Sequence, residues 1–215
     1  MPHLTKAEAI TVSPSVQSLI QEGRITNPGT PRGRLLRAAA HLFREKGYHR
    51  TTVRDIASLV GIQSGSLFHH FKSKEDILIQ VMKETILICT EHLKTAIGDL
   101  TEPVQQLEAL IRAELECVLG ETGEAMTVLV QEWTSLSSDP KENLMDLRQR
   151  YESIWIQVLA SVDKDVPLSM DPTILRKLLT GAIAWVINWF NPQGTMNSTD
   201  LAKEVLKLAI SSHRK

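Results

Sequence analysis

The chain has 215 residues, of which 42% are hydrophobic and 23% are charged, and its net charge at pH 7 is −1. A chain of this length buries roughly 70% of its unfolded surface, so a stable core requires neither a disulfide nor a metal. The two cysteines, Cys89 and Cys117, lie in stretches with helical apolar spacing, which favours buried thiols in a reducing cytoplasm over a disulfide. The longest apolar run, residues 181–190, is too short to span a bilayer, and the first thirty residues show no secretory signal. The composition therefore predicts a soluble, cytoplasmic protein without a membrane partner.

Charge is distributed unevenly along the chain. Residues 30–76 hold nine basic and four acidic side chains, so this segment carries a charge of 9 − 4 = +5. Residues 1–29 are neutral, and the residues from Ile77 onward therefore carry −1 − 5 = −6. A basic segment in an otherwise acidic chain indicates a polyanionic partner for that segment.

Helical patterns begin at residue 30. Thr30, followed by proline, is typical of a helix N-cap, and this first helix is predicted to end at Gly47 in a left-handed cap. A second, short helix is predicted after Thr52, with Asp55 completing a capping box. Gly61 then allows the chain to reverse sharply.

The segment that follows is a third predicted helix. Leu67 and Phe71 are spaced i, i+4 and predict its buried face, whereas the opposite face holds short or hydrogen-bonding side chains. Such a helix fits the major groove of DNA. Ser73 and Asp76 predict a capping box for a fourth helix, and Lys74 in its first turn is favourable if a phosphate lies at that helix end.

The order of these helices and the sequence GIQSGSLFHHFKSKE, residues 61–75, resemble the DNA-binding domain of the tetracycline-repressor (TetR) family of transcriptional regulators. The resemblance implies an all-α fold of about nine helices. A three-helix helix-turn-helix domain would occupy residues 30–76, and a helical bundle for ligand binding and dimerisation would occupy residues 77–215. The implied DNA-binding residues are Arg32, Arg34, Thr52, Arg54, Gln63, Ser64, Gly65, Ser66, Phe68, His69, His70, Lys72 and Lys74.

Two positions depart from the family pattern. Phe68 stands where a tyrosine is usual, which removes a hydroxyl that would reach a phosphate. Gln63 stands where a serine or threonine often caps the helix. Ser64 is the alternative cap, which would displace the helix by one residue.

The basic and histidine residues also allow other interpretations. A metal site at His69 and His70 is disfavoured because adjacent residues on a helix do not share a face. Arg32, Arg34 and Arg37 could form an ordinary solvated helix face. The sequence contains none of the motifs G-x-S-x-G, G-x-x-x-x-G-K-[ST] or H-E-x-x-H. We therefore predict that the protein is not an enzyme and has no metal or cofactor; the alternative is a helical enzyme or adaptor with an apolar pocket and no specific DNA binding.

Beyond Ile77, several polar residues lie on or beside apolar helical stripes, where they need a partner or a ligand. In the family the corresponding helices enclose an effector pocket. The predicted pocket residues are His92, Glu114, Met126, Glu132, Trp133, Arg148, Tyr151 and Trp155. For each of them a salt bridge or a packing contact remains the alternative.

The last two predicted helices are more apolar than one monomer core needs. A twofold four-helix interface, usual in the family, would bury them. The predicted interface residues are Gly181, Ala182, Trp185, Trp189, Leu201, Val205 and Leu208. The segment NWFNPQG is similar to a branch of the family that controls fatty-acid or sterol breakdown and responds to acyl-CoA.

Residues 1–29 contain three prolines and no net charge, and Ser13 with Pro14 indicates one short helix. The segment is predicted to be a mostly flexible extension, with docking on the body as the alternative. As a whole, the resemblance implies a homodimeric repressor that binds an inverted-repeat DNA operator and is released by a small hydrophobic or acyl-CoA-type effector.

Overall fold

The computed structural model describes residues 13–211, and these residues are mainly helical. The helices are α1 (Pro14–Gln21), α2 (Pro31–Lys46), α3 (Val53–Val60), α4 (Ser64–Leu67), α5 (Lys74–Ile97), α6 (Pro103–Leu119), α7 (Gly123–Gln131), α8 (Ser138–Asp165), α9 (Pro172–Trp185) and α10 (Ser198–Ala209). Short 3₁₀ turns occupy Trp133–Ser135 and Val186–Asn188. Within the described range, β-type pairing is limited to one isolated bridge between Leu168 and Ile210. The predicted all-α fold is confirmed.

The described chain divides into two compact units. Unit 1 contains residues 13–88 and 124–147, and unit 2 contains residues 89–123 and 148–211. Helices α5 and α8 contribute residues to both units. The predicted domain boundary at residue 76 lies near the start of α5 and inside unit 1, because Ile77, Leu78 and Met82 belong to the core of that unit.

Local signals determine where the first helices begin. The Thr30 side chain accepts a hydrogen bond from the Gly33 amide, as an N-cap does. At the start of α3, Thr52 and Asp55 form the predicted capping box in both directions. Gly61 ends α3 with φ 76° and ψ 31°, a left-handed conformation that glycine adopts without strain. The predicted reversal at this residue is confirmed.

Two other helix-end signals were predicted only in part: α2 does end at Gly47 but without the left-handed cap, and one of the two bonds of the Ser73–Asp76 box differs. Gly47 has φ 82° but ψ 152°, so it ends α2 outside the left-handed helical region. At the start of α5, the Asp76 amide donates to the Ser73 hydroxyl at 3.0 Å, but the Asp76 carboxylate accepts from the Lys72 amide rather than that of Ser73. One of the two hydrogen bonds of the predicted capping box therefore forms, and in the other the Lys72 amide takes the place of the Ser73 amide.

The core of unit 1 lies among α2, α3, α4 and the first part of α5, together with Val128, Leu136 and Leu144. Helix α2 buries the predicted stripe that includes Leu35, Ala39 and Phe43. Leu67 and Phe71 complete this core, and each is no more than 1% exposed. Full burial of such a side chain contributes about 1.5–3 kcal/mol, so these contacts fix the position of the short helix α4.

The N-terminal segment from residue 13 onward is part of unit 1 and packs against α5. Val16, Leu19 and Ile25 are buried with Leu87 of α5. The Thr26 amide and hydroxyl both donate to the Glu84 carboxylate, at 3.0 and 2.7 Å. The prediction of a flexible extension over residues 1–29 is therefore wrong for residues 13–29, and residues 1–12 lie outside the described range.

The core of unit 2 is built around α6, which contacts both α9 and α10. Leu107, Leu110, Ile111 and Leu115 of α6 are fully buried. In the part of the chain that the structure describes, no helix combines the length and apolarity needed to cross a membrane.

Candidate nucleic-acid interface and buried polar cluster

Helices α3 and α4 form a helix-turn-helix pair with a very short second helix. Helix α4 contains four residues and is preceded by Gln63, which occupies the N-cap position without a side-chain cap bond. The helix therefore begins at Ser64, and the predicted alternative of a cap at Ser64 is wrong. Because Leu67 is buried, the opposite side of this turn is left at the surface, where Gly65 and His69 are exposed.

The predicted DNA-binding residues lie at the surface of unit 1 to different degrees. The exposed ones are Arg34, Thr52, Arg54, Gln63, Gly65, Phe68, His69 and Lys72. The half-buried ones are Arg32, Ser64, Ser66, His70 and Lys74. Phe68, which replaces the usual tyrosine, is 55% exposed. A Cβ atom on Gly65 would meet no atom within 4 Å, so the backbone there faces open space.

Arg32 connects α2 to the segment after α4. Its guanidinium donates to the His70 carbonyl and lies 4.1 Å from the centre of the Phe71 ring. A guanidinium carries five N–H donors, so these contacts leave donors for a phosphate. Arg32 thus positions the end of the α4 segment in the free protein.

Lys74 connects the start of α5 to the loop between α2 and α3. Its ammonium donates to the carbonyls of Tyr48 and Thr51, at 2.8 and 2.9 Å, and lies 4.2 Å from the centre of the Tyr48 ring. Two of its three donors are therefore used within the protein, and the third remains for a phosphate. The sequence did not reveal these carbonyl partners, because backbone acceptors have no residue signature.

The segment after α7 contacts the same loop. The Glu132 carboxylate accepts from the Tyr48 amide at 2.9 Å and from the Ser135 hydroxyl at 2.6 Å. Nearby, the Glu75 carboxylate accepts from the amide and hydroxyl of Ser137 at 2.9 and 2.7 Å, and these bonds lower the pKa of Glu75. Residues 132–137 thus contact both the loop that precedes α3, through Glu132, and the start of α5, through Ser137.

Three predicted pocket residues, Met126, Glu132 and Trp133, belong to unit 1. The Glu132 carboxylate makes structural contacts, the alternative given for each pocket candidate, since it accepts from the Tyr48 amide and the Ser135 hydroxyl. Trp133 packs against the core of unit 1, and Met126 is 7% exposed.

Unit 2 contains a buried charged cluster centred on Arg176 of α9. Its guanidinium bonds the Glu114 carboxylate at 3.1 Å and the Glu152 carboxylate at 2.8 Å. The Arg176 and Glu114 side chains are each 3% exposed. Burial alone would lower the pKa of Arg176, but the two carboxylates and Tyr151 raise it, so the guanidinium stays charged.

Two aromatic residues complete this cluster. The Arg176 guanidinium carbon lies 4.2 Å from the Trp155 ring centre and 5.5 Å from that of Tyr151. Burial, followed by the charge of Glu114, raises the pKa of Tyr151 well above its usual value. The predicted residues Glu114, Tyr151 and Trp155 are thus brought together around an arginine that the sequence reasoning missed. The sequence did indicate that Arg176 is buried, because Arg176 lies on the same apolar helical stripe as Leu179 and Ile183, at i+3 and i+7.

The two remaining pocket candidates lie elsewhere in unit 2. Arg148 is exposed. His92 is half-buried, with Nδ1 3.7 Å from the Cys117 sulfur. Hydrogen bonds from Cys89 and His92, opposed by burial, lower the pKa of Cys117 to about 7, and contact with Cys117 raises the pKa of His92.

One face of α9 and the following turn is apolar and exposed. Ile174, Leu178, Trp185 and Trp189 are 55%, 56%, 63% and 56% exposed. The predicted interface residues Gly181, Ala182 and Leu208 are also exposed. Two further predictions are wrong: Leu201 and Val205 of α10 are buried within unit 2, at 6% and 7% exposure, because α10 turns this stripe towards the unit's core.

Two protein-family models match the chain. The model described as "Bacterial regulatory proteins, tetR family" matches residues 35–81, and "Tetracyclin repressor-like, C-terminal domain" matches residues 100–212, more than half of the chain. The chain belongs to the TetR family of transcriptional regulators. This confirms the family, and as a TetR-family regulator the protein is not an enzyme.

Several individual proteins are similar to this TetR-family chain. A crystal structure described as superantigen pfit is 44% identical, with a TM-score of 0.76, and the match covers 92% of this chain and 98% of the other. The HTH-type transcriptional repressor KstR2 of Rhodococcus jostii is 30% identical over 83% of this chain and 89% of the repressor. The ketosteroid transcriptional regulator KstR2 of Mycobacterium tuberculosis is 25% identical, with a TM-score of 0.74 over 87% of this chain and 98% of that one. AibR in complex with isovaleryl coenzyme A and operator DNA shares the fold at 21% identity, with a TM-score of 0.74 over 83% and 97% of the two chains.

Lys74 should stabilise the helix-turn-helix domain, residues 30–76, even when no DNA is bound. This domain is called the head below. We expect Lys74→Met to lower the free energy of unfolding by about 2–3 kcal/mol, since hydrogen bonds from a charged donor contribute about 1.5–3 kcal/mol each and methionine keeps the aliphatic stem. Urea unfolding followed by circular dichroism measures the change. The control is Lys72→Met at an exposed position, which should change stability by less than about 0.5 kcal/mol. Equal, small effects of both substitutions would show that the carbonyl bonds of Lys74 contribute little.

Proposed function

We propose that this TetR-family regulator is a cytoplasmic, homodimeric repressor that binds an inverted-repeat operator and is released by a hydrophobic or acyl-CoA-type effector. The observation that carries the proposal is the exposed tip of α4, with an open Gly65 backbone, within a segment whose net charge is +5. Small side chains at the tip of a helix allow its backbone to approach base edges in a major groove.

DNA contacts are proposed at two kinds of position. Ser66 of α4 and His69, which lies two residues beyond the end of α4, would contact base edges and so determine sequence preference. Arg54, Lys72 and the spare donor of Lys74 would bind phosphates and so position the head without reading sequence.

A homodimer is proposed from the apolar face of α9. Large apolar side chains at positions 174, 178 and 185 of α9, and at position 189 after it, are each more than half exposed, and clustered exposed apolar residues mark interaction surfaces. A twofold axis through this patch would present two heads to two half-sites related by the same symmetry, hence an inverted repeat.

The effector site is proposed to lie in unit 2 at the cluster of Glu114, Tyr151, Trp155 and Arg176. KstR2 of M. tuberculosis, named a ketosteroid regulator, supports a lipid-derived effector for this chain. AibR shows that the fold accommodates isovaleryl coenzyme A. Binding would favour a conformation of the dimer with weaker DNA affinity, by as much as the effector's affinity differs between the two conformations.

One similar structure is described as a superantigen, a description that does not mention DNA binding. A direct DNA-binding assay is therefore the test of the proposal. Selection from a random double-stranded library should enrich an inverted repeat. Affinity for it should fall with salt with a log-log slope of roughly −6 if ~7 phosphates are neutralised per dimer. Failure to enrich any palindrome would contradict the proposal.

Gly65→Ala separates DNA contact from folding. Alanine fits the free protein and favours a helix over glycine by about 1 kcal/mol, so thermal stability should be unchanged or higher. Operator affinity should nevertheless fall about tenfold or more, because the added methyl group separates the backbone from the groove.

Gly61→Ala is the contrasting variant. Its φ of 76° strains an alanine, so this variant should lose stability together with affinity. Wild-type operator affinity for Gly65→Ala would place the tip of α4 outside the groove.

A further inference from the structure

Two cysteines and one histidine of unit 2 come together between α5 and α6. Cys89 and His92 are spaced i, i+3 on α5 and therefore lie on one face of that helix, and Cys117 lies near the end of α6. The Cys117 sulfur lies 3.7 Å from His92 Nδ1 and is also hydrogen-bonded to the Cys89 thiol. These are the two cysteines of the chain, and both are free thiols that are 1% exposed. The two thiols of the protein therefore lie side by side on different helices.

The hydrogen bonds give the two thiols different chemical states. The bond from Cys89 is the largest cause that lowers the pKa of Cys117, burial opposes it, and the bond and charge of His92 bring this pKa to about 7. The same bond between the sulfurs raises the pKa of Cys89 well above its usual value. Cys117 is therefore the residue that forms a thiolate, the nucleophilic state of sulfur, and Cys89 stays protonated.

Packing alone does not explain this arrangement. A cysteine buried in apolar surroundings has a raised pKa and is inert, whereas Cys117 is buried and its pKa is lowered. His92, which contacts the Cys117 sulfur, is half-buried and so is reached by solvent. A small oxidant that arrives at His92 is close to the thiolate, whereas the burial of both sulfurs excludes a large one.

We infer that Cys89 and Cys117 are a redox-active pair, which a peroxide converts into a disulfide that joins α5 to α6 within unit 2. A disulfide forms only between cysteines whose side chains face one another across a short gap, and two sulfurs in hydrogen-bond contact meet this requirement. In a reducing compartment the pair is present as two thiols until a peroxide reaches it. The inference goes beyond the proposed function and does not depend on it.

Hydrogen peroxide is the oxidant, and two nucleophilic substitutions complete the reaction. The Cys117 thiolate attacks one peroxide oxygen, so an S–O bond forms, the O–O bond breaks, and the departing hydroxide takes a proton from His92 to become water. The Cys89 sulfur then attacks the sulfenic sulfur of Cys117; the S–S bond forms, the S–O bond breaks, and the hydroxide leaves with the Cys89 proton as water. The two sulfurs lose two electrons in total, and the peroxide is reduced to two molecules of water.

Oxidation of the full-length protein by hydrogen peroxide at neutral pH tests the inference. After removal of the peroxide and unfolding in iodoacetamide, trypsin releases residues 84–94 and 113–141, each with one cysteine. Mass spectrometry shows whether these peptides are alkylated or joined. The folded protein should form the joined peptide about tenfold or more faster than protein unfolded in urea, because ordinary thiols are mostly protonated at this pH. Dithiothreitol should restore both alkylated peptides.

Serine variants distinguish a disulfide from oxidation of one thiol. In Cys89→Ser the hydroxyl still donates to Cys117, so peroxide should oxidise Cys117 to a sulfenic and then a sulfinic acid, because the second thiol is missing. In Cys117→Ser the remaining thiol of Cys89 should react about tenfold or more slowly than Cys117 does in the first variant. Circular dichroism checks that both variants keep the helical fold.

His92→Gln tests the positioning role of the imidazole. Glutamine keeps a hydrogen-bond donor but not the charge, so the pH at which Cys117 reaches half its maximal oxidation rate should rise from about 7 by about one unit or more. After the bond to Cys117, the charges of Glu116 and Glu91 also raise the pKa of His92, while Glu114 opposes the thiolate, and all three carboxylates are kept in the variant. A purely structural role of His92 would leave this pH profile in place.

Slower oxidation of the folded protein than of the unfolded protein would overturn the inference, since the thiols would then be inert packing groups. A joined peptide found only in covalent dimers on a non-reducing gel would also overturn it, because the disulfide would then link two chains. An unchanged pH profile in His92→Gln would remove His92 from the mechanism. Enrichment of an operator is measured separately, so the failure of either proposal leaves the other standing.

Discussion

Replacing Arg176 with methionine should lower the free energy of unfolding by about 3–5 kcal/mol, the largest stability effect expected in this chain. Arg176 and Glu114 are each 3% exposed and bond at 3.1 Å. Methionine preserves the apolar stem but leaves the Glu114 carboxylate in the interior without its charge partner. Urea unfolding followed by circular dichroism measures the loss as a lower midpoint at an unchanged slope.

The double variant Glu114→Gln with Arg176→Met tests the cause. It removes the buried charge together with its partner, so it should recover much of the stability that the single variant loses. The exposed pair Lys207 and Glu204 provides the control: Lys207→Met should cost less than about 0.5 kcal/mol, although its ion-pair distance of 2.7 Å is shorter. A loss below about 1 kcal/mol for Arg176→Met would mean that water reaches Glu114.

The features that the sequence predicted correctly are those set by local chemistry. Thr52 and Asp55 cap α3 because a hydroxyl and a carboxylate three residues apart satisfy amides within one turn. Leu67 and Phe71 face the core because their spacing places them on one side of a helical turn. The helix-turn-helix head depends on such short-range signals, and so could be read from residues 30–76 alone.

The features that the sequence did not predict depend on long-range contacts. Glu132 lies beside an apolar stripe, but its partner is the Tyr48 amide, 84 residues away in the chain. Arg176 is joined to Glu114 across 62 residues. A polar residue on an apolar helical face is expected to need a hydrogen-bond partner, but the sequence pattern does not identify that partner. Leu201 and Val205 illustrate the same limit, since apolar side chains suit both a monomer core and a dimer interface.

Leu178→Glu should convert the protein from dimer to monomer and weaken binding to a two-half-site operator by at least about 100-fold. Leu178 is 56% exposed in the middle of the apolar face of α9, between Ile174 and Trp185. A glutamate there would be repeated by symmetry on the partner, so dimerisation would bury two like charges. Analytical ultracentrifugation gives the oligomeric state, and fluorescence anisotropy with labelled operator gives the affinity.

A control variant and an assay on a single half-site distinguish loss of dimerisation from damage to the DNA-binding head. Ala160→Glu introduces the same charge at an exposed position of α8 and should leave dimer and operator affinity unchanged. On a single half-site, Leu178→Glu and the wild-type protein should bind equally well, because each head keeps its own contacts and only the second, tethered contact is lost. If Leu178→Glu remains a dimer, the subunits pair through another surface, and the exposed side chains of Trp185 and Trp189 must serve another partner.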